Sequence, residues 1–540
     1  MKRTISTFGL LLTSLSAIIG SGWLFSAYYT STLAGPGSLL AWVIGGFFIL
    51  IIAFVFAEVS SMLPISGAST RIPQLTHGPL VSFAFAWTVW LSYVSFMAIE
   101  VQSVLQYASY YFPSLTFPQG GLTHRGLIAA AFLMFLISFL NTYSVRLLIR
   151  ANSFLTTMKV IILVLIGLVI LFSSRYLFSP FHPGHSEFLP MGIHGVFGAL
   201  VSGGILFAFN GFKQAAELAG EAKNPKRSVP LAILGSVLIA MGLFLLLQVG
   251  FLNSLGASNL LHGFQNLSLS IPQSPLASVL SQNGQSVFMP LLYLGAIVAP
   301  LAAGLMYCSA ASRSLYGMAK NGHAPAFLTK LSPQHHPMSA VIVNFILGLF
   351  LFFPLPGWNN MVAFMSSLLA VTYTIGPLSL AALRHQLPNQ HRPLKLPVGK
   401  FWAFISFYIC TLLVYWSGWE ILWKMIIALA AGFIIFGIYS HSKKYQRHRK
   451  HKKSCSHPHH HDTVNSLHIR GAIWLWLYLL GLAIFSYLGN FGGLSYLSTT
   501  AEMLGQLVFS GLIFLLATYL RVPDAEVFKQ VKALHLTELH

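Results

Sequence analysis

A chain of 540 residues that is 55% hydrophobic and only 8% charged, with a mean hydropathy of +0.72, carries too little polar side chain to cover a water-soluble globule. The formal charge of +20 would suit nucleic-acid binding, but the basic residues are spread over alternate gaps between apolar runs, so topology and not a nucleic-acid partner accounts for them. Three cysteines, Cys308, Cys410 and Cys455, are too few for a disulfide framework.

The apolar runs are about twenty residues long, the length a helix needs to cross ~30 Å of hydrocarbon. Lipid leaves only helices and closed barrels as spanning structures, and a barrel would show short alternating segments instead. An all-α polytopic membrane protein of about fourteen spans is therefore expected. The spans fall at 8–30, 38–62, 79–112, 126–145, 152–173, 194–219, 230–252, 286–319, 338–354, 360–383, 400–418, 421–440, 471–488 and 501–520. The basic start before 8–30 resembles a leader, but no small-residue cleavage site follows, so this run is read as the first span.

Lys2 and Arg3, Arg71, Arg146 and Arg150, Lys223 to Arg227, Arg313 to Lys330, and Arg384 to Lys400 occupy every second gap. The 441–470 loop and the tail with Arg521, Lys529 and Lys532 continue the series. The gaps between them hold Arg125 and Arg175, and 255–284, 355–359 and 489–500 hold no Lys or Arg. This asymmetry predicts that both termini are cytoplasmic.

Gly20-Ser21-Gly22 interrupts the first span and Ser202-Gly203-Gly204 the sixth. Glycine costs about 1 kcal/mol in a helix interior, so such clusters mark places where a helix opens, although small residues also serve close helix packing. Interruptions in the first and sixth spans fit an inverted repeat of five plus five helices, with a site where the broken helices meet. The expected division is 1–190 and 191–390 for the two repeats and 391–440 for spans eleven and twelve. A basic cytoplasmic loop at 441–469, spans thirteen and fourteen at 470–520 and a tail at 521–540 follow. His457, His459, His460 and His461 with Cys455 could ligate a metal, but a solvated linker beside anionic headgroups is the reading adopted, and no metal or cofactor is expected.

A charge inside the bilayer costs about 2.5–3.5 kcal/mol even on the mildest scale, so each should face a cavity or a partner. Glu100 lies mid-span with Phe96, Ser103, Val104 and Tyr107 on its face, and is either a neutral hydrogen-bonded acid or a proton carrier. Lys159 lies about nine residues into its span after Arg150, roughly 13 Å along the helix and too deep for easy snorkelling. Glu58 and Glu221 sit at span ends and read as loop anchors. Lys213 is either a cavity cation or a snorkelling interfacial lysine.

Five stretches in register resemble the amino acid-polyamine-organocation superfamily of permeases. They are Ile18-Ile19-Gly20-Ser21-Gly22; Ala57-Glu58 with Leu63-Pro64-Ile65-Ser66-Gly67-Ala68; Gly220 to Arg227; Ser312 to Gly322; and Arg392 to Pro397. Gly20 to Phe25, Ile99-Glu100-Val101, Val414 to Trp419 and Ile484 to Tyr487 are similar to the bacterial aspartate/glutamate transporter branch, whose type member is an aspartate-proton symporter.

The resemblance implies a leucine-transporter-like fold and an amino acid substrate. It places the substrate α-carboxylate at the backbone N–H groups after Gly20, Ser21 and Gly22, where a half-helix begins. The α-ammonium is expected at carbonyls near Ala17, Ile18 and Ser202, beside Gly203 and Gly204. Phe207, Asn210 and Tyr307 are carried over as pocket and gate positions, and Glu100 as a cavity-lining proton carrier. Lys159 matches the lysine whose ammonium stands where sodium-coupled relatives hold a cation between helices one and eight.

Proton-coupled symport in the bacterial inner membrane follows, and acidic substrates suit Lys213 while opposing Glu100 unless it is protonated. An exchanger or facilitator of the same fold would carry the same residues. A receptor or sensor would need a signalling domain, but no polar segment exceeds roughly thirty residues. An enzyme would need a nucleophile or metal constellation, but no HExxH or GxSxG occurs.

Overall fold

A computed structural model describes residues 3, 5–65, 67–142, 145–173, 187–332, 336–441 and 471–538. The histidines and Cys455 of the 441–469 loop lie outside these residues. The described residues form twenty-one α-helices. In order they are α1 (Thr7–Ile18), α2 (Gly22–Ala34), α3 (Ser38–Met62), α4 (Ala68–His77), α5 (Pro79–Ala108), α6 (His124–Leu140) and α7 (Val145–Ser173). Then come α8 (Gly192–Val201), α9 (Ile205–Ala208), α10 (Lys213–Glu217), α11 (Pro225–Asn253), α12 (Pro275–Gln282), α13 (Met289–Lys320) and α14 (Met338–Phe350). The last seven are α15 (Trp358–Tyr373), α16 (Ile375–Gln386), α17 (Gly399–Tyr415), α18 (Trp419–His441), α19 (Ile473–Leu488), α20 (Thr499–Tyr519) and α21 (Asp524–Glu538).

Helix boundaries follow local chemistry. Ser6, Thr123 and Ser498 accept the first-turn amides of Gly9, Gly126 and Ala501, and Pro79, Pro225 and Pro275 each stand as the first residue of their helices, where a missing N–H costs nothing. Eight stretches among the described residues are long and apolar enough to cross a membrane, from Gly22–Met62 to Thr499–Tyr519, and six shorter apolar helices accompany them. Helices fall in all fourteen expected runs.

Large apolar side chains such as Ile128, Phe132, Ile346, Phe350, Ile434 and Leu512 are exposed, as expected of surface that lipid covers. By contrast α5 is buried along nearly its whole length, packed on α13 and α15, and so forms the axis of the bundle. Around it α11 packs on α3 and α1, and α7 on α11 and α13. Outside this core, α17 bridges α15, α16 and α20.

Three departures from expectation stand out. The sixth apolar run is three helices with two breaks instead of one. The connection before α5 is itself a helix, α4. The tail expected at 521–540 contains a helix, α21, with Val527 and Val531 buried against the α16 and α4 side.

Candidate functional site

The first break is built from missing side chains. A Cβ on Gly20 would collide with Glu100 Oε1 and stand 3.3 Å from Ala303 Cβ, and one on Gly22 would stand 3.2 Å from the Ala208 Cα. The two glycines thus let α5, α13 and α9 close on the gap. The backbone leaves the helix at Ile19 (φ −86°, ψ 77°), and the Gly20 amide turns back to donate to the Ile18 carbonyl at 3.0 Å.

That turn removes the partner a continuous helix would give the Ser16 carbonyl, and the break frees those of Ala17 and Ile19 in the same way. Side chains take their places. Lys159 Nζ, 2% exposed, donates to the Ser16 and Ile19 carbonyls at 3.1 Å each, and the Tyr307 hydroxyl donates to the Ala17 carbonyl at 3.3 Å. Every carbonyl from Ser16 to Ile19 is therefore engaged. The Ala17 and Ile18 carbonyls, expected near a substrate ammonium, each keep a second lone pair. Among the described residues the hydrogen bonds of the Lys159 amine run to Ser16 and Ile19 at the first break.

The second break begins at Gly204 (φ 87°), where the chain leaves α8. The Ser202 and Gly203 carbonyls accept no backbone hydrogen bond among the described residues, and Ser202 is half-buried. A further opening precedes α10 at Gly211 (φ 125°), whose absent Cβ would lie 2.6 Å from the Ile18 amide nitrogen. The two broken runs thus meet backbone to backbone.

Glu100, fully buried on α5, faces this meeting point. The polar groups that face its carboxyl are the backbone N–H and hydroxyl of Ser21 and the Lys159 amine. The Gly22 and Trp23 amides, at the start of α2, donate to no backbone acceptor among the described residues. A carboxyl and a cluster of free N–H groups therefore share one small, water-excluded volume.

Aromatic rings enclose it. Phe96 stacks on Phe207 (centroids 4.6 Å) and on Tyr307 (3.8 Å), and Trp358 covers the opposite side against Phe25 (4.9 Å) and Tyr29 (5.4 Å) while its indole N–H donates to Ser21 Oγ at 2.9 Å. Asn210 is the hub on the other flank: its amide donates to the Tyr307 hydroxyl at 2.9 Å, and its Oδ1 accepts from the Tyr373 hydroxyl at 3.1 Å.

Lys213, 2% exposed, donates to Thr372 Oγ1 at 2.8 Å and lies over the Tyr373 ring at 4.6 Å, which removes the snorkelling reading. Glu58 is the anchor its position suggested. It binds Arg384 and Arg392 and accepts the Leu396 amide at 2.8 Å, far from any role with Lys159. Glu221 anchors through its backbone, its carbonyl accepting the Ile5 amide at 3.0 Å.

Gly20, Ser21, Gly22, Ala17, Ile18, Glu100, Lys159, Phe207, Asn210 and Tyr307 are thus gathered in one place, with Ser202, Gly203 and Gly204 at its edge. Trp358, Tyr373 and Thr372 join the site without having been singled out. Trp358 opens α15 directly after Gly357 (φ 81°), and no periodicity distinguishes an aromatic there from ordinary packing.

Apolar helices broken at matching points around a solvent-excluded polar centre are the architecture of a membrane carrier for a small solute. The family model for amino acid permease matches residues 5–439, and the chain belongs to that family. It is 32% identical to the glutamate/serine transporter AimA of Bacillus subtilis over 508 residues, covering 92% of this chain and 89% of the relative. It is 31% identical to the aspartate-proton symporter of the same organism over 532 residues, 97% and 98% of the two chains. The branched-chain amino acid permease BcaP of Bacillus subtilis is 26% identical over 83% of this chain and 95% of the relative. The protein is a multi-pass cell-membrane permease for amino acids.

Proposed function

We propose that the chain is a proton-coupled amino acid symporter with acidic amino acids as substrates, working by alternating access. It has fourteen spans, with both termini cytoplasmic and the first ten spans related as a five-plus-five inverted repeat. The observation that carries the reading is the buried Glu100 carboxyl at Ser21, beside the free amides of Gly22 and Trp23. A substrate α-carboxylate needs those same N–H groups. Two ionised carboxylates cannot share them in a dry site, so substrate enters with a proton on Glu100 and the two travel together.

The α-ammonium is assigned to carbonyls at the two breaks, those of Ala17 and Ile18 on one side and of Ser202 on the other. Lys159 holds the first break while charged, and loss of its proton would release the Ser16 and Ile19 carbonyls and free α1 to swing. The buried Lys213 beyond Asn210 is partly offset by the Glu217 carboxyl one turn on, and two relatives named for glutamate and aspartate favour an acidic substrate.

The test is uptake of labelled aspartate, glutamate and serine into proteoliposomes under an inward proton gradient, an inward sodium gradient, or neither. Acidic amino acids should accumulate with the proton gradient alone, and Glu100→Gln should lose accumulation while retaining exchange. Sodium-driven uptake, or full proton-driven accumulation by Glu100→Gln, would overturn the proposal.

A further inference from the structure

Outside the ten-helix core, a second buried carboxyl sits in polar surroundings that transport does not use. Glu502 is 2% exposed in the first turn of α20, and Gln506 and Ser510 follow it at four-residue spacing on the same buried stripe. The Glu502 carboxyl accepts the Asn490 amide, and among the described residues no basic nitrogen lies within ion-pair distance of it.

Gln506 is fully buried, yet among the described residues neither its carbonyl oxygen nor its amide nitrogen has a hydrogen-bond partner, and the Tyr415 hydroxyl on α17 faces the Glu502 carboxyl. All three line a partly open cavity of about 40 Å³ between α8, α17 and α20, to which Ile193 and His194 of α8 also contribute. Gly489 leaves it room: a Cβ there would strike the Tyr415 hydroxyl and stand 3.0 Å from Glu502 Oε1. The loop over the cavity is fastened by Asn490 Nδ2 donating to the Leu497 carbonyl at 2.8 Å and the Trp419 amide donating to the Phe491 carbonyl at 2.9 Å.

We infer that this cavity is a binding site for a compact monovalent cation, held by the Glu502 carboxylate, the Gln506 carbonyl oxygen and the Tyr415 hydroxyl oxygen. No basic nitrogen of the described residues stands within ion-pair distance of this buried carboxylate, His194 on the cavity wall included, so a positive charge inside the cavity would stabilise it. A proton on Glu502 would supply that charge and could be donated to one neighbouring oxygen, whereas a cation engages all three oxygens at once. A water occupies upwards of ~10–15 Å³ of such space, so the cavity takes one ion with a water or two. The single carboxylate balances one positive charge, which favours a monovalent ion over a divalent one, with water completing the coordination. An alkali ion and a primary ammonium share this chemistry. The site fastens the start of α20 to α17 and lies apart from the Glu100 centre, so the inference does not depend on the coupling proposed above.

The test is the melting temperature of the purified full-length protein in detergent, titrated with sodium, potassium, ammonium or methylammonium chloride against N-methylglucamine chloride at equal ionic strength. The expected result is a saturable rise of about 2–4 °C. A rise with sodium or potassium identifies an alkali ion, and a rise confined to the ammonium salts identifies an amine. The rise should vanish in Glu502→Gln and in Gln506→Leu, the second variant carrying the test if the first fails to fold. Equal melting in all salts overturns the inference, as does a rise that persists in Gln506→Leu.

Discussion

Glu58 is fully buried between two guanidinium groups, with Arg384 Nη2 at 2.7 Å and Arg392 Nε at 3.2 Å, while Arg384 also donates to the Leu396 carbonyl at 2.8 Å. Removing one partner of a buried ion pair strands the others, at a cost of about 3–5 kcal/mol. Glu58→Ala is therefore expected to lower the melting temperature strongly without touching the substrate centre, and substrate affinity measured on the surviving folded fraction should be unchanged. The anchoring role was readable in sequence, because a carboxylate at a span end facing a basic motif has few other uses. Lys213 was not readable to the same degree. Its depth depends on where the sixth run breaks, and that is fixed by Gly211 pressing on Ile18 and not by any local pattern.

The breaks are properties of pairs of elements. Gly20-Ser21-Gly22 and Ser202-Gly203-Gly204 were legible because clustered small residues stand out in apolar helices. The opening before α10 was not, since Phe209, Asn210, Gly211 and Phe212 contain a single glycine. What demands that glycine is the other run: its φ of 125° is outside the reach of ordinary side chains, and the Ala17 carbonyl carbon would lie 2.7 Å from any Cβ. Gly211→Ala is accordingly expected to push α1 from α10 and to weaken substrate binding at least tenfold, or ~1.4 kcal/mol, while the carrier still inserts. Gly242, whose Cβ would meet nothing within 4 Å, provides the control, and Gly242→Ala should bind normally. Equal binding by both variants, measured by scintillation proximity with labelled substrate, would remove the contact between the broken runs from the site.

At the scale of the whole molecule, the end carrying the basic loops is tied together by chain segments distant in sequence. Ile5 pairs with Glu221 and Lys223, Gly67 donates to the Glu217 carbonyl at 3.0 Å, and Glu58 holds Arg384, Arg392 and Leu396. The tail adds the last tie: the Val522 amide donates to the Thr76 carbonyl at 2.9 Å, and Gln386 Nε2 donates to the Val522 carbonyl at 2.8 Å, joining α4 to the end of α16. Beyond it Val527 and Val531 are buried one turn apart on α21, a contact worth about 3 kcal/mol or more at the usual value for a buried valine. A carrier working by alternating access must break such ties each time this end opens. Truncation after Leu520 should therefore leave the protein in the membrane, lower its melting temperature and speed substrate exchange. Val527→Asp should act in the same direction by burying an unpaired charge in the docking face. Exchange rates and melting temperatures equal to those of the full chain would mean that α21 rests on the bundle without restraining it.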